Sequence, residues 1–312
     1  MHKDVECIFF GTPAFAVPSL KALHEAGYAI SAVVTTPDQP VGRKGILVPS
    51  PVKQAALELN FPILEPDKLD DSFFETFTNL QFDICIIVAY GKIIPAKYLV
   101  IPRYGFVNIH ASLLPKYRGP SPIQTAIFNG EKQTGISLQL IDDQIDHGPI
   151  IAQQICELPG QQYYPEIARV LSKESAQFLI SALPDYFNGK SKPREQDHSQ
   201  ATFCHRLSRE DGKIVWSRSA EEIFNQIRAL SHEPGTWTTW QNKILRISKA
   251  KVASTMSFPG APGTIIKSGP LIAVQTATHP LILLRIQLEG GKEMDITQFI
   301  FGKHNFIGST FE

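Results

Sequence analysis

The chain has 312 residues, 43% of them hydrophobic and 19% charged, and its formal net charge is zero. This length accommodates two domains with their own cores, and the composition excludes a disordered, fibrous or strongly basic protein. No apolar run is long enough to span a bilayer, and the first residues lack the apolar segment of a signal peptide, so we expect a cytoplasmic protein without a membrane partner.

The first two thirds of the chain alternate strand and helix patterns. Pro18 is tolerated only in the first turn of a helix, so the first helix is expected to begin late, and Ser50 before Pro51 is an N-cap pattern. Strands are predicted at 5–11, 30–35, 82–91, from 106 onward, 135–141 and 150–158, and helices at 15–26, 51–59, 72–80, 123–128 and 165–187. This alternation predicts an α/β fold with a doubly wound, mostly parallel sheet of the Rossmann-like type, which binds ligands at the carboxyl ends of its strands.

Two segments place polar side chains at such strand ends. Asn108 and His110 are two residues apart in a predicted strand and should project from the same face, and Asp146 follows a later strand in an acidic turn. An amide beside an imidazole can polarise a carbonyl, and a carboxylate can accept a proton. Taken alone, His110 is more often structural and Asp146 more often caps a turn, whereas their combination favours a catalytic site.

A polar stretch with Pro and Gly but no periodicity follows the predicted sheet. We therefore predict a catalytic domain at 1–189, a linker at 190–205 and a second domain at 206–312. Ser219 and Glu222 form a capping-box pattern that opens a helix ending near Leu230. Short strand patterns follow at 236–240, 244–252, 263–267, 271–276, 281–288 and 294–301. Their spacing predicts a smaller β-barrel of the OB-like type.

The cysteines and the distribution of charge give weaker indications about function. The four cysteines are far apart and none lies in a Cys-x-x-Cys pair, so neither disulfides nor a metal site is expected. Acidic residues slightly outnumber basic ones up to His205, and the reverse holds afterwards. This distribution weakly indicates a polyanion partner for the second domain, and chance explains it equally well.

Three segments carry a resemblance to a known family. The sequence Phe-Gly-Thr-Pro at 10–13, the run Asn-Ile-His-Ala-Ser-Leu-Leu-Pro-Lys-Tyr-Arg-Gly at 108–119, and Ile-Asp-His-Gly-Pro-Ile at 145–150 resemble the signature segments of folate-dependent formyltransferases. The loop at 36–44, the segment at 49–53 and the segment at 208–217 resemble the branch of that family that acts on methionyl-tRNA. The resemblance covers nearly the whole chain.

The resemblance implies formyl transfer from 10-formyltetrahydrofolate, as co-substrate, to the α-amine of methionine on initiator tRNA. Asn108 and His110 would donate hydrogen bonds to the oxygen that becomes charged in the tetrahedral intermediate. Asp146 would pair with His110 and accept the proton of the amine. No metal and no covalent enzyme intermediate are required, and we expect a monomer.

The family pattern also implies binding residues. The folate pocket would be lined by Ser112, Leu113, Leu114 and Pro115. The tRNA would be bound by the basic loop and the second domain, through Arg43, Lys44, Arg206, Arg209 and Lys213. Lys116 and Arg118 could meet either the glutamate tail of folate or an RNA phosphate, and their spacing does not decide. The chain departs from the family at 231–233, before a Pro-Gly turn.

Other functions remain open at this stage. The main alternative is a folate-dependent formyltransferase that acts on a small amine, such as a sugar nucleotide. A glycinamide ribonucleotide formyltransferase should lack the second domain, and a formyltetrahydrofolate hydrolase should lack the basic loop. A non-catalytic RNA-binding protein would have no need for Asn108, His110 and Asp146 together.

Overall fold

The computed structural model describes residues 5–41, 45–255 and 260–312. The chain divides into two compact units. The first comprises 1–122, 133–157 and 168–204, and the second comprises 123–132, 158–167 and 205–312. The second unit thus includes two short segments from within the first 189 residues, and the domain boundaries drawn from the sequence stay a prediction. Within the described ranges, no helix is both long and apolar enough to cross a membrane.

A seven-stranded sheet forms the centre of the first unit. Its strands are β1 (Glu6–Gly11), β2 (Ala29–Val34), β5 (Ile63–Leu64), β6 (Ile84–Val88), β7 (Phe106–His110), β8 (Gln133–Leu140) and β9 (Ile150–Glu157), and β3 (Gln39–Val41) and β4 (Ile46–Val48) form a separate hairpin. The order is β5-β2-β1-β6-β7-β8-β9. The first five strands in this order are parallel, and β8 and β9 are antiparallel to their neighbours. The predicted mostly parallel sheet is confirmed.

The helices begin where the sequence places caps and prolines. They are α1 (Val17–Glu25), α2 (Pro51–Glu58), α3 (Asp71–Thr78), α4 (Ala96–Leu99), α5 (Pro122–Phe128) and α6 (Tyr164–Phe187). A single 3-10 turn, Ala14–Ala16, precedes α1, so that Pro18 occupies the second helical position and the late start is confirmed. The Ser50 hydroxyl accepts a hydrogen bond from the Lys53 amide and caps α2.

The order of strands in this sheet reverses at β1. The chain places β2 on one side of β1 and β6 on the other, so the order reverses at β1, the position at which sheets of this type bind ligands. The Thr12 hydroxyl donates to the Tyr90 carbonyl (3.0 Å), which joins the carboxyl ends of β1 and β6. Asn108 is paired with Ile87 of β6, so β7 carries its polar residues to the same edge.

An aromatic cluster sets the position of β7 in the sheet. Phe106, the first residue of β7, lies 5.7 Å from Phe10 and 6.1 Å from Phe77 between ring centroids. All three rings are buried. Burial of aromatic rings is a dominant source of core stability, so this packing fixes the strand whose far end carries His110.

The second unit is a curled antiparallel sheet. Its elements are α7 (Ala220–Ala229), β10 (Trp237–Trp240), β11 (Lys243–Val252), β12 (Ile265–Ser268), β13 (Leu271–Val274), β14 (Leu281–Leu288), β15 (Met294–Asp295) and α8 (Ile296–Phe299). The order is β10-β11-β14-β13-β12. The last residues bond to both edge strands, Glu312 with Thr239 of β10 and Ser309 with Ile265 of β12. This closure agrees with the predicted barrel-like domain.

Two local predictions in this unit have different outcomes. The capping box of α7 is confirmed: the Ser219 hydroxyl accepts from the Glu222 amide, and the Glu222 carboxylate accepts from the Ser219 amide. These bonds from Ser219 lower the pKa of Glu222 below its usual 4.5. The predicted strand at 294–301 is wrong, because only Met294–Asp295 is extended and α8 follows. The Asp295 carboxylate accepts from the Thr297 amide and caps that helix, whose Ile296 and Phe299 are buried three residues apart.

Candidate active site

The structure brings Asn108, His110 and Asp146 together. Asn108 and His110 lie on β7, and Asp146 lies in the segment that joins β8 to β9. The distance from Asn108 Nδ2 to Asp146 Oδ1 is 3.4 Å, and that from His110 Nδ1 to the same oxygen is 3.5 Å. One carboxylate oxygen therefore faces both side chains, as expected for residues on one face of a strand.

Two further groups hold the Asp146 carboxylate in place. The Gly119 amide donates to Oδ2 at 2.8 Å, and the Gln139 side-chain amide donates to Oδ1 at 2.9 Å. Gln139 is almost fully buried and lies opposite Asn108 in the pairing of β7 with β8. Asp146 also has φ +50°, an uncommon backbone conformation for a residue with a side chain. The surrounding bonds therefore determine where this carboxylate points.

His110 has a defined orientation. Its Nε2 lies 2.9 Å from the Tyr117 carbonyl oxygen, and its ring is 6% exposed. A carbonyl oxygen can only accept, so we infer that Nε2 carries a hydrogen and that Nδ1 is the atom that faces Asp146. An imidazolium ring would direct a second N–H group at that carboxylate.

The hydrogen-bonding capacity of the site is not exhausted. A carboxylate has about four acceptor positions, and Gly119, Gln139 and Asn108 use three of those on Asp146. The remaining position is on Oδ2, and the Asp146 side chain is 14% exposed. The Asn108 side-chain amide has two N–H groups, one of which donates to Asp146. Counting only contacts between described residues, the site thus retains one acceptor and one donor for bound molecules.

The four residues predicted for the folate pocket differ in exposure. Ser112 and Leu114 are buried, whereas Leu113 and Pro115 are partly exposed. The Ser112 hydroxyl donates to the Lys116 carbonyl (2.6 Å), so it is used within the loop itself. The backbone of this loop is anchored on Ser137 of β8, whose hydroxyl donates to the Ser112 carbonyl. Folate binding by these residues stays a prediction.

The segment at 202–204 supports the same loop. The Tyr117 amide donates to the Thr202 hydroxyl (2.9 Å), and the Arg118 amide donates to the Thr202 carbonyl (2.9 Å). The Cys204 amide in turn donates to the Arg118 carbonyl (2.8 Å). Sequence reasoning assigned these residues to a linker and did not anticipate that they pair with residues more than eighty positions earlier.

Arg118 lies inside this arrangement. Its guanidinium is 3% exposed and donates to the Gln196 side-chain oxygen at 3.1 and 2.7 Å. The Gln196 side-chain nitrogen donates to the Asp146 carbonyl at 2.9 Å. Because Arg118 is buried, it is poorly placed for the predicted contact with a glutamate tail or a phosphate. Lys116 is exposed and stays a candidate for that contact. The role of Gln196 in the site was not predicted. The only indication in the sequence is its position in a stretch rich in Pro and charged residues.

Gly119 provides a test of this packing. A Cβ atom at Gly119 would lie 2.3 Å from the Cys204 carbonyl oxygen, and its φ is +115°. We expect Gly119→Ala to lower the free energy of unfolding by on the order of 1–3 kcal/mol from the backbone conformation alone, with the clash adding to it. Gly189→Ala is the matched control, because Gly189 also has positive φ (+67°) but nothing within 4 Å of the new atom. Equal urea midpoints for the two variants would refute the close approach.

Basic residues predicted to bind tRNA are found in the second unit. Arg206, Arg209 and Lys213 are all exposed. The Arg209 guanidinium carbon lies 5.6 Å from the centroid of the Trp237 ring, and the Lys213 ammonium lies 5.8 Å from it, which brings two of the three together. Arg43 and Lys44, also predicted to bind tRNA, lie outside the described residues.

The cysteines are poorly suited to nucleophilic catalysis. All four are free and buried. Burial raises the pKa of the Cys7 and Cys156 thiols to about 12, so the reactive thiolate is scarce at neutral pH. Among residues 5–41, 45–255 and 260–312, no group of three or more His, Cys, Asp and Glu side chains is arranged to hold a metal ion.

Comparison with known proteins agrees with both units. Residues 5–183 match the family model described as "Formyl transferase", and residues 206–304 match "Formyl transferase, C-terminal domain". A methionyl-tRNA formyltransferase from Chloroflexus aurantiacus is 42% identical over 95% of this chain and 96% of its own length. One from Listeria innocua is 39% identical over 97% of both chains.

A solved structure shares the fold. It is an N-formyltransferase from Helicobacter canadensis in complex with folinic acid and dTDP-3-aminofucose, with a TM-score of 0.67 and 20% identity over 89% of this chain and 98% of that one. At that identity the likeness concerns the fold alone. The two family matches and the relatives matched along almost their full length show that the chain belongs to the formyl transferase family, and within it to the methionyl-tRNA formyltransferases.

Proposed function

We propose that this protein transfers a formyl group from 10-formyltetrahydrofolate to the α-amine of methionine on initiator tRNA, for the initiation of translation. One observation carries the chemistry: an amide, an imidazole and a carboxylate meet at Asp146 Oδ1 within 3.5 Å. The choice of acceptor is supported by the identity to methionyl-tRNA formyltransferases, which extends through the second unit.

The donor supplies a formamide-like carbon. Attack by the amine would form a bond to that carbon and place negative charge on its oxygen. Asn108 has a second N–H group, unused in the described contacts, with which to bind that oxygen. One good donor of this kind contributes about 3–4 kcal/mol to lowering the barrier. The predicted donation from His110 to that oxygen does not fit this arrangement, because Nε2 is bonded to the Tyr117 carbonyl and Nδ1 faces Asp146. His110 would instead act by orienting the Asp146 carboxylate.

Proton movement completes the reaction. The attacking amine becomes positively charged and must lose a proton, which the free acceptor position of Asp146 Oδ2 can take directly or through a water molecule. The bond between the formyl carbon and the folate nitrogen then breaks, and that nitrogen receives a proton. The net result is one formyl group exchanged for one hydrogen, with no redox change.

The two partners would bind different parts of the chain. Leu113 and Pro115, the partly exposed members of the predicted folate set, offer apolar surface for a flat ring system, and the loop at 111–119 offers backbone groups to its edge. The basic side chains around Trp237 in the second unit would bind phosphates of the tRNA. Arg43 and Lys44 complete the proposed tRNA-binding set.

A comparison of acceptors tests this function. The enzyme is given 10-formyltetrahydrofolate labelled in the formyl group and one of four acceptors: methionyl initiator tRNA, glycinamide ribonucleotide, a dTDP-amino sugar or water. We expect label to appear only in the charged tRNA. Methionyl-tRNA whose α-amine is already acetylated is the matched control and should accept none. Faster transfer to the amino sugar than to the tRNA would contradict the proposal.

A further inference from the structure

Two histidine rings stack beside the proposed catalytic residues. The centroids of His147 and His198 are 4.0 Å apart, and the ring planes differ by 5°. His147 directly follows Asp146 in the chain, and His198 lies in the 3-10 turn His198–Gln200 that follows Gln196. Neither histidine has a part in the chemistry described above.

Hydrogen bonds hold both rings in place. His147 Nδ1 lies 2.6 Å from the Asp142 carboxylate, and His198 Nδ1 lies 2.8 Å from Arg118 Nη2. A guanidinium only donates, so His198 Nδ1 is the acceptor and the opposite edge of its ring carries the N–H group. Each ring is held by a hydrogen bond to a neighbouring side chain, so the stack exists before any ligand binds. Little conformational entropy is therefore lost when a ligand packs on it.

His198 keeps exposed surface beyond these contacts. His147 packs on one face of the His198 ring, and Arg118 donates a hydrogen bond to one edge of it. The His198 side chain is nevertheless exposed. From this exposure we infer that the face of His198 opposite His147 is accessible to a ligand. Phe203 also lies beside Arg118: it is 71% exposed, and its ring centroid is 5.9 Å from the guanidinium carbon. Thr202 and Cys204 fix the backbone of Phe203 by their bonds to the catalytic loop.

We propose that His198 receives the base of the terminal adenosine of the tRNA, as a third ring on the His147–His198 stack. The inference rests on the proposed function and extends it. The methionine is esterified to the ribose of that adenosine, so only the aminoacyl ester and part of the ribose separate its base from the amine that meets Asp146. Proteins hold unpaired RNA bases by stacking them on rings such as those of His and Phe, and Phe203 would offer a second surface to the single-stranded end.

Two substitutions separate stacking from a purely structural role. His198→Phe keeps a ring but removes the acceptor for Arg118, and His198→Asn keeps a side-chain acceptor but removes the ring. Stacking predicts that His198→Asn raises KM for charged tRNA roughly 5- to 100-fold with the KM for the folate donor unchanged, and that His198→Phe stays close to wild type. The reverse order would show that the ring only supports Arg118, and would overturn the inference.

A second measurement needs no variant. An RNA hairpin that copies the acceptor stem, with 2-aminopurine as its terminal base, is titrated with the wild-type protein. Stacking should quench the fluorescence of the terminal 2-aminopurine, and the same base placed inside the paired stem should not respond. If the protein formylates charged tRNA but leaves the terminal base unquenched, the stacking inference fails and the proposed function stands. If charged tRNA is not formylated at all, the proposed function itself fails.

Discussion

Replacing Asp146 with asparagine is expected to lower kcat for formyl transfer by roughly 10²- to 10⁴-fold, the usual contribution of a positioned general base. Asparagine has nearly the same shape but cannot accept a proton at neutral pH. It also places an N–H group against either Gly119 or Gln139, which both donate to the carboxylate in the wild type. Single-turnover rates with saturating donor and charged tRNA measure this effect on the chemical step.

Asp143→Asn is the matched control for that experiment. Asp143 belongs to the same acidic turn but is exposed, and the described contacts do not join it to Asn108, His110 or Asp146. Its replacement should leave the single-turnover rate within about two-fold of wild type, the range expected for a surface change that removes no contact with the reacting groups. A variant at Asp146 that kept its single-turnover rate and lost only affinity would show that the carboxylate binds substrate rather than accepting the proton.

The second large effect is expected at Asn108. Removal of its side-chain amide in Asn108→Ala should lower kcat by roughly 10²- to 10³-fold, as for the loss of one donor to a developing oxyanion. The KM values for both substrates should change much less, because the bond strengthens only as charge develops on the oxygen. Steady-state kinetics over both substrates provides this separation.

Asn188→Ala serves as the control for Asn108→Ala, since Asn188 is exposed and lies beyond the end of α6. It should be kinetically indistinguishable from wild type. A rise in KM at constant kcat for Asn108→Ala would mean that the amide binds ground state and transition state equally. That result would remove it from the proposed chemistry.

Local patterns were sufficient to predict most of the fold. Apolar runs closed by turn residues identified the strands, and Pro18, Ser50 and Ser219 marked helix starts that the structure reproduces. The prediction at 294–301 failed because a short segment of mixed apolar and polar residues is compatible with either a strand or a short helix. There, the Asp295 cap decides between them.

The site was only partly predictable, for a physical reason. Asn108, His110 and Asp146 were predicted to meet on the assumption that neighbouring strands are parallel and share an edge at their carboxyl ends. Because β8 is antiparallel to β7, it is instead the connection between β8 and β9 that brings Asp146 back to Asn108. Gln196 and Thr202 could not be placed in the site from the sequence. They lie in an irregular segment, which has no hydrophobic periodicity to indicate the surface against which it packs. Gln139 carried a faint signal, as a polar residue between Leu138 and Leu140 in a strand that is buried along most of its length.

A crystal structure of the protein with a stable analogue of the formyl donor tests the proposed chemistry most directly. We expect the formyl oxygen to lie about 2.7–3.2 Å from Asn108 Nδ2, with the formyl carbon on the side of the open position of Asp146 Oδ2. A well-defined formyl group bound elsewhere in the first unit, out of reach of all three side chains, would contradict the assignment of Asn108, His110 and Asp146 to one reacting carbon.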